Sequence, residues 1–173
     1  MKQVFIIHYH EIALKGGNRD FFEKKLIDNI KRSLKALGRV NVKRLYGRIL
    51  VVPGSDSDIN LDKVKERLKR VFGIAYFSLG CQSGVDIKLG KKALPELFQE
   101  IFPLVKKHKF DSFKVEVKRQ NKNFPLNSPE IEKQLGGLIY QGLKRKKEVK
   151  MKNPELTVYL EITDQGFFFY FNG

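Results

Sequence analysis

The sequence predicts an α+β / α/β protein built as two consecutive units, and three observations lead there. Apolar runs of strand character alternate with apolar stripes at helical spacing; the element order reads βαββαβ over the first half and then changes; and a small, polar stretch, Gly80-Cys81-Gln82-Ser83-Gly84, falls at the change. With 42% hydrophobic and 12% aromatic residues among 173, the chain has enough apolar material to order a compact fold, which excludes an intrinsically disordered chain.

Val4–Tyr9 is almost wholly β-branched or aromatic and predicts a strand buried on both faces. Gly16-Gly17-Asn18 breaks it, and Asn18 is the expected cap of a helix running to about Leu37. Asp20 and Glu23 near its start suit the positive helix end, while Phe22, Leu26, Ile30 and Leu34 recur at i, i+4. Gly38 stops this helix. Strands at about Asn41–Leu45 and Arg48–Val52, joined at Tyr46-Gly47, read as a tight hairpin. Asn60 then caps a helix with Leu61, Val64, Leu68 and Val71 on one face, and after Gly73 a strand covers Ile74–Leu79. This βαββαβ order is the split-βαβ, ferredoxin-like pattern: an antiparallel sheet covered on one face by two helices. It is complete by residue 83, so the expected domains are residues 1–83 and 84–173.

The second half is patterned differently. Leu94, Leu97, Phe98, Ile101 and Leu104 have helical spacing, and Pro95 and Pro103 are expected to divide or kink the segment into one or two short helices. Phe113, Val115 and Val117 alternate with Lys114, Glu116 and Lys118, as in a strand with one wet face. A loop over 121–127 leads to Ser128-Pro129, a hydroxyl cap with proline at the first helical position, and then to Ile131, Leu135, Leu138, Ile139 and Leu143 at helical spacing. Leu156–Ile162 alternates as a strand, Thr163-Asp164-Gln165-Gly166 turns, and Phe167–Phe171 is a last strand.

Lys and Arg number 34 against 19 Asp and Glu, a formal net charge of +15, which predicts an anionic partner. Residues 1–83 hold 17 basic and 8 acidic side chains (net +9) and the remainder 17 and 11 (net +6), so both units are expected to touch it. The densest run, Lys106–Lys152, sets 14 basic against 5 acidic residues and includes Lys144-Arg145-Lys146-Lys147. As a set, these favour phosphate binding over a merely solvated face.

One cysteine, Cys81, and three histidines exclude an intramolecular disulfide and a Cys/His metal cluster, and no stretch approaches 18 apolar residues; the chain reads as cytoplasmic, metal-free and without a membrane span. His8, His10 and Glu11 offer acid/base groups, but no nucleophile accompanies them. Gly16-Gly17-Asn18 beside Lys15 and Arg19 offers backbone N–H groups as a phosphate seat, or simply a tight turn. The most informative run is 113–125. Its strand delivers Lys118 and Arg119 at the C-terminal end, where parallel strands of α/β sheets bind ligands, and the loop adds Lys122 and Phe124, a ring either to stack a base or to sit in the core beneath the loop. Gly136, Gly137 and Gly142 within one helix point to close packing or to close approach of another backbone.

Glu11-Ile12-Ala13-Leu14-Lys15-Gly16-Gly17-Asn18-Arg19 with Phe21-Phe22-Glu23 resembles the opening signature of the tRNA 4-thiouridine synthetase (tRNA sulfurtransferase) family, with His10 standing where that family has Gly before the Glu. Phe113-Lys114-Val115 through Lys118-Arg119, Lys122, Phe124-Pro125, Ser128-Pro129-Glu130-Ile131 and Leu135-Gly136 resembles its THUMP domain. The resemblance covers essentially the whole chain. It implies an N-terminal ferredoxin-like domain followed by an α/β THUMP domain, a pair that binds tRNA, with THUMP at the 3′ CCA end.

On that basis the expected RNA-binding residues are Lys114, Lys118, Arg119, Lys122 and Phe124 near the 3′ end, with Lys15, Arg19, Lys144, Arg145, Lys146 and Lys147 in support. The family's ATP-pyrophosphatase domain, with its Ser-Gly-Gly-x-Asp-Ser loop, has no counterpart here; ATP and a sulfur donor belong to that domain, and no cofactor is expected in this chain. The expected function is positioning tRNA for uridine thiolation by a catalytic domain absent from this sequence. The alternatives are a free-standing RNA-binding adaptor and, in another class, a small phosphate-handling enzyme using His8, His10 and Glu11. An ATP-pyrophosphatase domain or protein and a second copy of this chain are the further partners to test.

Overall fold

The structure, a computed structural model, describes residues 1–10, 17–45, 47–54 and 59–172. The chain divides into two compact units, one spanning Gln3–Leu79 and the other taking in everything from Gly80 onward together with Met1–Lys2.

The first unit contains β1 (Lys2–Tyr9), α1 (Arg19–Leu34), β2 (Val40–Leu45), β3 (Arg48–Pro53), α2 (Leu61–Leu68) and the first part of β4 (Ile74–Gln82). Its strand order is β2-β3-β1-β4, as the ferredoxin-like pattern requires. β3 is antiparallel to both neighbours, with Val51 opposite Phe5 on one side and Val42 on the other. Val4 through Tyr9 are all buried, which bears out the doubly covered first strand. Phe5, Ile7 and Tyr9 pack with Leu26, Ile30 and Leu34 of α1 and Val64 and Leu68 of α2. Asn60 caps α2, its side-chain oxygen accepting from the backbone N–H of Asp62 (3.0 Å) and Lys63 (3.2 Å). Asn18 stands before α1, but its side chain makes no capping bond. The expected helical extension to Leu37 is a 3-10 turn over Lys35–Leu37, closed by Gly38 at φ 139°, a conformation that favours glycine.

The strand expected over Ile74–Leu79 continues through Gly80–Gln82, at the start of the expected junction, and these three residues pair antiparallel with Phe168–Tyr170 of β8. Backbone pairing overrides composition here. The second unit continues with a 3-10 segment (Ile87–Lys92), α3 (Ala93–Val105), β5 (Ser112–Arg119), α4 (Ser128–Gly142), β6 (Glu148–Val149), β7 (Leu156–Thr163) and β8 (Gly166–Asn172). α3 is one helix of 13 residues. Pro95 lies in its first turn, where no intrahelical N–H is needed; Pro103 lies inside the helix near its end, where it withholds one i→i−4 bond without dividing it. The cap of α4 is Asn127, one residue before the expected Ser128, and its side chain accepts from the Glu130 N–H at 2.9 Å.

β5 runs parallel to β7 over seven residue pairs and parallel to the two-residue β6, which the sequence pattern did not show. β7 and β8 form the antiparallel hairpin, with Gly166 at φ 115° in the turn. α3 and α4 cover one face of this sheet around Leu97, Ile101, Ile131, Leu135, Val115, Val158 and Phe169. β7, expected to alternate, is buried at all but Tyr159, since its flanks are strands and both faces are covered.

Candidate nucleic-acid interface

The C-terminal end of β5 and the loop to α4 bring together the residues expected near an RNA end, and the structure separates them into two roles. Arg119 turns back under the loop. Its Nη1 donates to the Phe124 carbonyl at 3.0 Å and lies 3.4 Å from those of Lys122 and Leu126, so this guanidinium shapes the loop from within. The Gln120 and Asn121 N–H groups both donate to the Ile162 carbonyl, at 2.8 and 3.1 Å, which ties the loop to β7. Phe124 is 4% exposed and meets Phe167 edge to face at 5.7 Å; the core alternative holds, and its ring is not a free platform for a base. Lys118 and Lys122 are exposed.

Lys114, on the wet face of β5, lies 3.2 Å from Glu116, and its side chain is only 20% exposed. It rims a groove of about 470 Å³ floored by Phe113, Val115, Gly136 and Gly137 and bordered by Lys133 and Tyr140. A Cβ at Gly137 would meet nothing within 4 Å, so this glycine holds the groove open, whereas a Cβ at Gly142 would come within 2.8 Å of the Phe102 ring. The expectation of close packing is met at Gly142; at Gly137 there is open space. Lys144, Arg145 and Lys146 are exposed beyond α4, while Lys147 is drawn to Asp111 (3.5 Å) and sits over the Phe110 ring at 5.4 Å.

In the first unit, Arg19 approaches the buried carboxylate of Glu23 at 3.6 Å. Glu23 also accepts from Arg44 Nε at 2.9 Å, and Arg44 pairs in addition with Asp20. Arg44, as hydrogen-bond donor and then as charge, holds the Asp20 carboxyl below its usual range; burial, and then Glu23, push the Tyr9 phenol up. Lys15 and Gly16 of the expected phosphate seat, and Glu11, lie outside the described residues. His8 is 4% exposed and stacks on Tyr76 at 4.1 Å between ring centres, while His10 is exposed at the strand end. Cys81 is half-buried, and burial, with Glu100 adding, pushes its thiol up, the reverse of an activated nucleophile. Among the described residues no group of three His, Cys, Asp or Glu could hold a metal, and no helix is long and apolar enough to cross a membrane.

Sequence reasoning passed over Lys133 and Tyr140 of the groove, and the four cations at the far end of α1: Lys31, Arg32, Lys35 and Arg39. A signal for the latter exists. From Asn29 to Gly54 the sequence has seven basic residues and no acidic one.

Residues 4–78 match the family model of the ThiI ferredoxin-like domain and residues 91–172 that of the THUMP domain. A probable tRNA sulfurtransferase of Thermoanaerobacter pseudethanolicus is 40% identical over 170 residues, covering 96% of this chain and 41% of the relative. One from Coxiella burnetii is 37% identical over 172 residues, covering 98% and 42%. A solved 4-thiouridine synthetase–RNA complex with bound ATP superposes with a TM-score of 0.72 at 31% identity, covering 99% of this chain and 41% of that one. The chain thus spans about two fifths of the length of the curated relatives it matches.

Proposed function

From the premise that this chain carries the ThiI ferredoxin-like and THUMP domains of the tRNA sulfurtransferase family, we propose that it is a tRNA-binding module that presents the acceptor stem and 3′ CCA end for uridine thiolation by an ATP-dependent catalytic domain not contained in it. The observation that carries this reading is the exposed cationic surface of the second unit. Lys118 and Lys122 at the end of β5 and Lys144, Arg145 and Lys146 beyond α4 all face solvent. Such groups bind phosphates by releasing condensed counterions, which makes affinity fall log-linearly with salt. The groove beside Lys114 adds an apolar floor with Tyr140 at its edge, a surface on which the face of an unpaired base can rest. Arg119 and Phe124 contribute indirectly, by fixing the loop that carries Lys122.

By this reading the chain alone forms no 4-thiouridine with ATP and a sulfur donor, because burial pushes its one thiol up, away from the thiolate, and no glycine-rich nucleotide loop accompanies it. The test is tRNA binding by the double variant Lys122→Glu/Lys146→Glu, alongside tRNA lacking its CCA end. The expected result is a loss of about ten-fold or more at 0.15 M salt for the variant, with a shallower salt slope, and a smaller loss for the truncated tRNA. Unchanged binding by the variant would remove the proposed surface, and equal affinity for the truncated tRNA would remove the CCA assignment.

A further inference from the structure

We propose that the first unit holds a second phosphate site, for the RNA backbone, in the groove between the end of α1 and the start of β2; it rests on the tRNA-binding reading above. The groove has a volume of about 680 Å³, with Lys31, Arg32, Lys35 and Arg39 around a floor that includes Gly38 and Val40. All four cations are exposed, none is in an ion pair with a described residue, and no described carboxylate lines the groove.

The local structure holds these charges together. Gly38 at φ 139° turns the chain out of the 3-10 turn, and the Arg39 carbonyl accepts from the Gly54 N–H at 2.8 Å, extending the ladder in which Val40 faces Pro53. One wall is therefore a helix end and the other a paired strand. Lys31, in the last turn of α1, and Lys35, just after it, are four residues apart, a like-charge pair whose repulsion an anion lying between them would relieve. The helix C-terminus contributes roughly half a negative charge, which four full positive charges outweigh. The site is open rather than enclosed, and the stems of the four side chains leave room for successive phosphates along a strand rather than a cage for one small ion.

The test uses the full chain and the quadruple variant Lys31→Gln/Arg32→Gln/Lys35→Gln/Arg39→Gln, with tRNA binding followed across salt concentration. Loss of two phosphate contacts is expected to flatten the log–log salt slope by nearly two and to lower affinity about thirty-fold at 0.15 M salt. A control removing four charges elsewhere in the same unit, Lys24→Gln/Lys25→Gln/Lys63→Gln/Lys65→Gln, is expected to change the slope by less than half as much. Equal effects of the two variants would reduce the site to general surface charge and overturn the proposal. An unchanged slope in the groove variant, with binding still sensitive to Lys122→Glu/Lys146→Glu, would overturn the groove while leaving the tRNA reading intact; failure of the unaltered chain to bind tRNA would remove the reading itself.

Discussion

Near its start α1 sets Asp20 and Glu23 against Arg44, with Glu23 buried to 1% exposure; at its other end Lys31 and Arg32, with Lys35 just after the helix, stand beside Arg39, and no described carboxylate lines the groove they form. Both ends carry basic residues, but carboxylates stand at the first alone. At the first, cation and carboxylate are fixed between helix and strand and serve the fold; at the second, the cations stay solvated and are free to displace the counterions condensed on a polyanion. The contrast recurs within one loop of the second unit, where Arg119 is spent on backbone carbonyls while Lys122 faces water. A basic residue is thus assigned by what its charge already holds, and mutation can break that assignment.

The largest expected effect is at the paired end. Glu23→Ala leaves Arg44 without its buried partner and should cost about 2–3 kcal/mol in chemical denaturation, below the figure for a fully buried pair because Arg44 is 39% exposed. The groove variant should stay within about 0.5 kcal/mol of the parent, as surface changes do. A groove variant as destabilised as Glu23→Ala would erase the distinction between the two ends. Arg119→Ala should follow at about 2 kcal/mol, the scale of hydrogen bonds from a charged donor, whereas Lys122→Ala should leave the denaturation midpoint unmoved and weaken tRNA binding.

α4 offers a sharper version without charge. Gly142→Ala places a methyl 2.8 Å from Phe102 and 3.2 Å from Phe98 and should destabilise by about 1–2 kcal/mol, the overpacking cost exceeding any helix-propensity gain. Gly137→Ala meets nothing within 4 Å and should stabilise by up to about 1 kcal/mol while narrowing the groove beside Lys114. If both shifted the thermal midpoint in the same direction, the division into packed and open glycines would be wrong.

These cases mark what was legible in the sequence. Among the described residues, periodicity located the four α-helices and the strands other than the two-residue β6, but not the 3-10 segment Ile87–Lys92, because hydrophobic repeats follow from which faces are covered. It ended the fourth strand at Leu79, short of Gly80–Gln82, whose strand character comes from pairing with a segment nearly ninety residues away rather than from their own propensity. Motif and charge density located the β5 end, yet could not tell Arg119 from Lys122, since both are cations in one short run and only the backbone path decides which carbonyls fall within reach. Phe124 was open between two roles for the same reason. The groove at the end of α1 was written as an acid-free stretch, but its four cations meet only when the helix end and β2 fold together.

The smallest effect tests the paired end at its exposed margin. Asp20 donates nothing and accepts from Arg44, whose hydrogen bond and charge favour the ionised carboxyl and lower its pKa on folding. A group with a depressed folded-state pKa stabilises above its unfolded value, and that contribution is lost as pH falls through the folded value, below the ordinary carboxylate range. The stability difference between the parent and Asp20→Asn should therefore be constant near neutrality and disappear only in strong acid. A carboxyl-carbon NMR titration should place the Asp20 midpoint below that of an exposed aspartate in the parent and return it toward the ordinary value in Arg44→Gln. A midpoint unaffected by removing Arg44 would show that solvent screens the pair completely, and that the fold at this end of α1 depends on Glu23 alone.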